Sequence, residues 1–248
     1  MHINLVLSGG AARGVAHIGV LKAAEEVGLD INAISGSSAG ALVGVFYAEG
    51  YSPKEMLNVV KRTRWLRLFR PRISRRGLFS LSKAEAYFRR FVDKERVEEL
   101  GKRVFICCTD LLSARPIYFS EGELLPVVLG SCALPGIFEP VSYGDYLLID
   151  GGVMNNLPVE PLQSLKGLKI GVDVNPVEKV NSPGNIVNIL LRSFFLAVRS
   201  NVESRRDACD VVIVPDIFGY SPLDIGSADE LFAIGYEAGI KVFRDLVQ

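Results

Sequence analysis

Apolar and polar positions fall into alternating blocks along this chain. Apolar runs of strand length stand at 3–7, 33–35, 104–109, 146–149, 169–174 and 211–214, with a shorter candidate at 117–119. Between them lie segments of helical character at 13–27, 39–49, 53–61, 83–91, 124–131, 186–206 and 229–246. Apolar strands separated by helices predict an α/β class: a mostly parallel central sheet with helices on both faces. At 248 residues the chain is long enough to bury a substantial core, and no internal repeat or low-complexity tract divides it. We therefore expect a single domain over 1–248, with one excursion at about 61–81 where regular patterning lapses.

That excursion is the one strongly polarised region. Lys61, Arg62, Arg64, Arg67, Arg70, Arg72, Arg75 and Arg76 put eight cations into sixteen residues without an acid, interleaved with Trp65, Leu66, Leu68, Phe69 and Ile73. Mixed basic and apolar sequence suits an anionic membrane surface, each cation near it adding ~1 kcal/mol. The competing reading is a solvated excursion whose arginines pair with the acids of 93–99. Formal net charge is zero and no recognition motif is present, which argues against nucleic acid.

The remaining composition narrows the chemistry. Four cysteines (Cys107, Cys108, Cys132, Cys209) form no C-x-x-C pair, and two histidines cannot complete an ordinary zinc site, so no metal is expected. Cys107 and Cys108 are expected to point to opposite faces of one strand, as buried thiols of a reducing compartment. The first residues carry no basic leader and read as a core strand, and 186–198, the longest apolar candidate for a membrane span, is broken by Asn188 and Arg192. The expectation is a soluble, cytoplasmic protein, peripheral at the membrane if the basic segment binds there.

Gly36-Ser37-Ser38-Ala39-Gly40 lies between a short strand and an apolar helix. G-x-S-x-G in that setting is the nucleophile elbow, in which small residues allow a tight turn that lifts the central serine hydroxyl, here Ser38, clear of the backbone. A packing turn of small residues would have the same sequence. Both histidines, His2 and His17, precede Ser38, so the Ser–Asp–His order of α/β-hydrolases is excluded. His17 lies on an apolar helix face and is expected to be a structural, partly buried histidine. A base for Ser38 would then be a carboxylate. The candidate is Asp150, which ends the apolar run 146–149 and is followed by Gly151 and Gly152; a plain Asp-Gly strand cap reads the same way. Ser8-Gly9-Gly10-Ala11-Ala12-Arg13-Gly14 follows the first strand and opens a helix, so its backbone N–H groups form an anion site, which in a serine hydrolase is the oxyanion hole. Ala11 occupies the position where a dinucleotide fingerprint needs glycine, and no G-K-[ST] is present.

In that order, Gly-Gly-Ala-Ala-Arg-Gly, Gly-Ser-Ser-Ala-Gly and Asp-Gly-Gly resemble the patatin-like phospholipase family of Ser–Asp dyad acyl hydrolases. The likeness extends to 13–21 and to 131–141, covers most of 3–175, and is too loose to use past 180. It implies the three-layer fold of that family, Ser38 as nucleophile, Asp150 as proton acceptor, and the backbone of Gly9, Gly10 and Ala11 as oxyanion hole. Arg13, Gly14, Gly36, Gly40, Gly151 and Gly152 would support the three motifs. Ala11 stands where many relatives carry a third glycine, a change that keeps the N–H. The implied activity is cleavage of lipid acyl esters, of phospholipase or lysophospholipase type, through an acyl-enzyme and without a cofactor. Two alternatives stay open: an esterase or thioesterase acting on short or CoA-linked acyl groups with the same dyad, and a regulatory or adaptor protein that keeps the fold.

Overall fold

The computed structural model describes residues 1–63, 70–71, 79–176, 179, 182 and 184–248. Most of the basic excursion, including Arg64, Trp65, Arg67, Arg72, Arg75 and Arg76, lies outside the described residues.

The strands in chain order are β1 (His2–Leu7), β2 (Asp30–Ser37), β3 (Arg70–Pro71), β4 (Phe79–Ser80), β5 (Arg103–Asp110), β6 (Arg115–Phe119), β7 (Val141–Tyr143), β8 (Tyr146–Asp150), β9 (Leu168–Val172) and β10 (Val211–Ile213). Apart from the small β3–β4 ribbon they form one sheet, ordered β10-β9-β1-β2-β5-β8-β7, with β6 added along β5. From β10 to β5 every pairing is parallel, because each crossover carries helix or long loop between the strands. Beyond β5 the sheet turns antiparallel: short turns join β5 to β6 and β7 to β8, and β8 returns to pair with β5 after α5 and β7. The sheet expected to be mostly parallel is thus a mixed one, with a parallel half and an antiparallel edge. Strand β7 has no counterpart in the sequence reading, because Val141-Ser142-Tyr143 is broken by a serine and forms no apolar run.

One register relationship builds the site. β6 occupies one edge of β5 from Ile106 to Asp110. β2 and β8 must therefore share the other edge, β2 pairing up to Ser37↔Cys107 and β8 ending at Asp150↔Cys108. A parallel strand and an antiparallel strand thus meet end to end on consecutive residues of β5, which brings the chain after Ser37 up against Asp150.

Among the described residues, seven α-helices cover the sheet: α1 (Val15–Glu26), α2 (Ala39–Glu49), α3 (Pro53–Arg62), α4 (Ser82–Phe88), α5 (Leu124–Ser131), α6 (Ile186–Arg206) and α7 (Ala228–Val247). α1, α3 and α7 close a core with Leu5, Leu7, Ile34, Ile170 and Val172; α2, α4 and α5 close a second with Val104, Ile106 and Cys108. On the opposite face, Phe105, Leu157, Leu162 and Val202 of α6 form a third cluster. Helices therefore lie on both faces, giving the expected three layers. Cys108 belongs to the second cluster, whereas the Cys107 thiol donates toward the Asn155 carbonyl at 3.6 Å, so the two thiols do face apart. Among the described residues no helix is long and apolar enough to cross a membrane.

Candidate active site

Ser38 sits between the end of β2 and the first turn of α2 with φ 51 and ψ −120. That left-handed backbone is costly for a residue with a side chain, of order 1–3 kcal/mol, and such strain is characteristic of functional turns. The flanking glycines allow the turn to close. A Cβ at Gly40 would run into the Leu7 and Ser8 carbonyls, and one at Gly36 into the backbone of Gly40 and Ala41. The elbow therefore leans directly on the end of β1. Ser38 is partly exposed, and its hydroxyl stands at the positive end of α2, which favours developing negative charge.

Asp150 is 1% exposed. Its Oδ1 accepts from Gly152 N–H at 2.8 Å, while Oδ2 makes no well-formed hydrogen bond; the side chain that acts on the carboxyl is the Ser38 hydroxyl. Burial pushes the Asp150 pKa up to about 7, against the smaller opposing pull of Ser38 and Gly152. A carboxylate desolvated in this way is a stronger base than an exposed one and still ionises near neutral pH. Gly151 is fixed by the same close packing, since a Cβ there would strike the Cys107 carbonyl.

The segment joining α5 to β7 supports both residues. Ser131 Oγ accepts the Ser38 N–H, and the Ala133 carbonyl accepts the Asp150 N–H at 2.9 Å. The Cys132 thiol between them is held protonated by burial.

The glycine loop runs from β1 through a short 3-10 turn, Ala11–Gly14, into α1. Gly9 is a correction to the predicted oxyanion hole: its N–H is spent on the Asn156 carbonyl at 3.3 Å. Among the described residues, the N–H groups of Gly10 and Ala11 have no protein acceptor, and these two are the available donors. Ala11 adopts φ 50, the conformation a glycine would take without strain. Arg13 is buried and its Nε donates to the Tyr220 carbonyl at 2.8 Å, tying the loop to 217–223. Gly14 lets the loop approach α2, as a Cβ there would stand 2.6 Å from the Ala39 Cβ. His17 is fully buried beneath, Nε2 donating to the Ser8 carbonyl at 2.8 Å, and burial lowers its pKa to about 4, so it is neutral at physiological pH.

Three buried or part-buried asparagines escaped the sequence reading. Asn175 Nδ2 donates to the Gly9 carbonyl, and Asn175 is itself anchored by its N–H to Asp173 Oδ1 at 3.0 Å. Asp173, wholly buried, is paired with Arg199 of α6 at 3.3 Å. Asn201, also on α6, donates Nδ2 to the Gly152 carbonyl at 3.1 Å and accepts the Asn156 N–H at 2.9 Å. One helix thus fastens both the Asp150 turn and the glycine loop. The available signal was asparagine itself, a poor helix and strand former at 156, 175 and 201 beside apolar positions.

A cleft of about 250 Å³, lined by Arg13, Asn175, Leu191, Phe195, Tyr220 and Leu223, opens behind the glycine loop; Ser38 and Asp150 do not line it. Among the described residues, no group of three His, Cys, Asp or Glu side chains is arranged to hold a metal ion.

A family model described as patatin-like phospholipase matches residues 5–162, a range that contains Ser38, Asp150 and the glycine loop. Lysophospholipase nte1 of Aspergillus fumigatus is 28% identical over 280 residues, covering 98% of this chain and 18% of that protein. An uncharacterized NTE family protein of Mycobacterium bovis is 36% identical over 180 residues, 71% of this chain and 50% of that protein. The chain thus spans half or less of the length of these curated relatives. Among solved structures, VipD from Legionella pneumophila is similar with a TM-score of 0.58 at 16% identity, over 98% of this chain and 67% of that one. At that identity the likeness speaks for the fold alone.

Proposed function

The chain belongs to the patatin-like phospholipase family, and from that premise we propose that it is a serine acyl hydrolase that cleaves lipid acyl esters, of phospholipase or lysophospholipase type, with Ser38 as nucleophile and Asp150 as its base. The observation that carries the reading is a strained, partly exposed serine at the N-terminus of α2 beside a buried carboxyl whose pKa lies near 7. Asp150 takes the Ser38 proton as Oγ attacks the ester carbonyl. The N–H groups of Gly10 and Ala11 receive the developing oxyanion, assisted by the α2 dipole. The proton then passes to the leaving alcohol as the C–O ester bond breaks, and water releases the acyl group from Ser38. Every step runs on side chains and backbone of this chain, so the mechanism calls for neither metal nor organic cofactor. The lipid substrate class is supported by the lysophospholipase name of a relative that this chain matches over 98% of its length. Contact with anionic membrane through the basic residues between Lys61 and Arg76, at a cytoplasmic membrane face, is part of the same proposal.

The test is covalent. A fluorophosphonate probe on the full chain, followed by peptide mapping, is expected to label Ser38, and Ser38→Ala to lose both the label and hydrolysis of a lysophospholipid. Labelling with turnover confined to short or CoA-linked esters would replace the lipid substrate with the esterase or thioesterase alternative. Failure of the wild-type chain to label would leave the adaptor reading in its place.

A further inference from the structure

Asn156 is 1% exposed, yet neither end of its carboxamide has a protein hydrogen-bond partner among the described residues. Its backbone is fully engaged, the N–H by Asn201 Oδ1 and the carbonyl by Gly9 N–H. The side chain is therefore held in place while its polar atoms remain unpaired. Its surroundings are the reacting groups. A Cβ on Gly9 would stand 2.5 Å from Asn156 Oδ1 and 3.1 Å from the Ser38 Cβ; a Cβ on Gly152 would stand 2.6 Å from the same oxygen and 3.0 Å from Asp150 Oδ1. The carboxamide is wedged between the glycine loop, the serine and the base, in space that two glycines clear for it. Asp150 Oδ2 is a second buried oxygen without a well-formed hydrogen bond in the same place.

Buried polar groups without protein partners are characteristically completed by water or ligand, because leaving them unmet is costly. An oxyanion is a poor fit here, since it would sit against the charge of Asp150, and the glycine loop already offers two N–H donors for it. A water fits well. It can donate one hydrogen to Asp150 Oδ2 and the other to Asn156 Oδ1, which leaves an oxygen lone pair free for an acyl carbon on Ser38.

We propose that Asn156 is a further catalytic residue, which together with Asp150 holds the water that hydrolyses the acyl-enzyme; this rests on the acyl-hydrolase reading above. In that step the water oxygen bonds to the acyl carbon, Asp150 takes the water proton, and the carbonyl electron pair moves onto oxygen at the Gly10 and Ala11 N–H groups. On collapse the carbon–Oγ bond breaks, the proton on Asp150 passes to Ser38 Oγ, and the carboxylic acid leaves and loses its own proton to solvent. Acylation needs no such water. Asn156 is therefore selective for the second half of the cycle.

The experiment compares the full-length chain with Asn156→Leu, close in size but apolar, and with Asn156→Ala as a smaller variant, each checked for folding by circular dichroism. Two rates are measured: Ser38 labelling by a fluorophosphonate, which reports the acylation machinery, and hydrolysis of a p-nitrophenyl ester, followed from its burst into steady state. The expected result is labelling within about twofold of wild type, steady-state turnover reduced on the order of 10²-fold, and a burst approaching one equivalent per active site. Added hydroxylamine, a stronger nucleophile than water, should restore release. Labelling that falls in step with turnover would reduce Asn156 to a structural residue, and turnover within twofold of wild type would remove it from the mechanism; either overturns the proposal. A wild-type chain that neither labels nor hydrolyses would overturn the acyl-hydrolase reading itself, a result the variants alone cannot produce.

Discussion

Ser38 donates its backbone N–H to Ser131 Oγ at 2.9 Å, and that hydroxyl donates onward to the Cys107 carbonyl at 2.6 Å. The elbow is thus braced by the last residue of α5 against the strand on which Ser37 and Asp150 find their partners. Ser131→Ala removes the acceptor and leaves the Ser38 N–H and the Cys107 carbonyl unmet. The expected outcome is a stability loss of about 1–3 kcal/mol and a fall in Ser38 labelling of order 10- to 100-fold, since the brace fixes the nucleophile's backbone. Thermal denaturation and probe kinetics measure the two effects separately. Unchanged labelling kinetics in a destabilised variant would mean the elbow holds its geometry without the brace.

The Asp150 pKa of about 7 sets a pH dependence for both activity and stability. As a base it must be ionised, so kcat/KM is expected to rise through about pH 7 from the acid side and level off above it. The stability term runs the other way. Asp150 binds its proton more tightly folded than unfolded, so between the ordinary carboxylate range and about pH 7 the native state holds the extra proton, and stability falls as pH rises. His17, lowered to about 4, has the opposite sign: the unfolded chain binds its proton first, and this contribution to stability is lost as pH falls below about 6.5. Asp150→Asn should therefore be inactive and more stable than wild type at pH 8, with the gap closing toward pH 4. Denaturant titrations of both chains across that range give the comparison, and a pH-independent gap would mean Asp150 is not desolvated as described.

How far this site could be read from sequence depends on whether a residue's role is local. Helices α2, α5 and α6 match their predicted limits because an unbroken apolar run or a long periodic stripe carries its own boundaries. β2 runs past its predicted ends because Asp30 and Asn32 lie in its first residues and Gly36 and Ser37 finish it, residues whose place in a strand is explained by pairing with β1 at the start and with β5 at the end. The antiparallel half stayed hidden because the β7–β8 hairpin turns on the short segment Tyr143–Tyr146, too small to bias a pattern. Ser38 and Asp150 stood out as candidates because the glycines packed around them are their sequence neighbours. Ser131, Asn156, Asn175 and Asn201 were not, because each acts on a partner 45 or more positions away. Gly9 was assigned a role its sequence allows but its N–H cannot fill, since which amide of a glycine loop is already engaged is a tertiary fact.

The loop should respond to substitution as a backbone device. A side chain at Gly10 would begin 2.5 Å from the Val174 Cγ2, so Gly10→Val must displace the loop and is expected to cost on the order of 10²–10³ in kcat. Ala11→Gly releases a side chain from φ 50 and should keep activity within a few-fold while raising stability by up to about 1 kcal/mol. His17→Ala loses a buried hydrogen bond and packing, costing stability far more than chemistry. Steady-state kinetics beside thermal melts separate the three. A His17→Ala variant that folds but is as inactive as Ser38→Ala would put the imidazole in the mechanism and remove the two-residue dyad.

The membrane contact proposed above has two candidate regions, and salt distinguishes them. One is the basic segment, of which Lys61 pairs with Asp229 at the surface, an exposed pair worth little. The other is apolar: Ile186, Ile189 and Leu190 of α6, with Phe218 and Leu223 beyond the sheet, expose large side chains. If the cations dominate, binding to anionic vesicles should exceed binding to neutral ones and fall steeply with salt, because exposed charges are screened beyond ~8–10 Å near physiological ionic strength. Arg67→Glu, Arg70→Glu and Arg72→Glu together should then weaken vesicle hydrolysis and spare a small soluble ester. Trp65 is the chain's single tryptophan, and its fluorescence should shift to the blue on vesicle binding if it enters the interface. Binding that ignores both lipid charge and salt would instead assign the contact to the apolar face of α6. Equal loss on soluble and vesicle substrates would make the basic segment part of the fold or of the active-site wall, since a docking surface acts only on substrate held in a membrane.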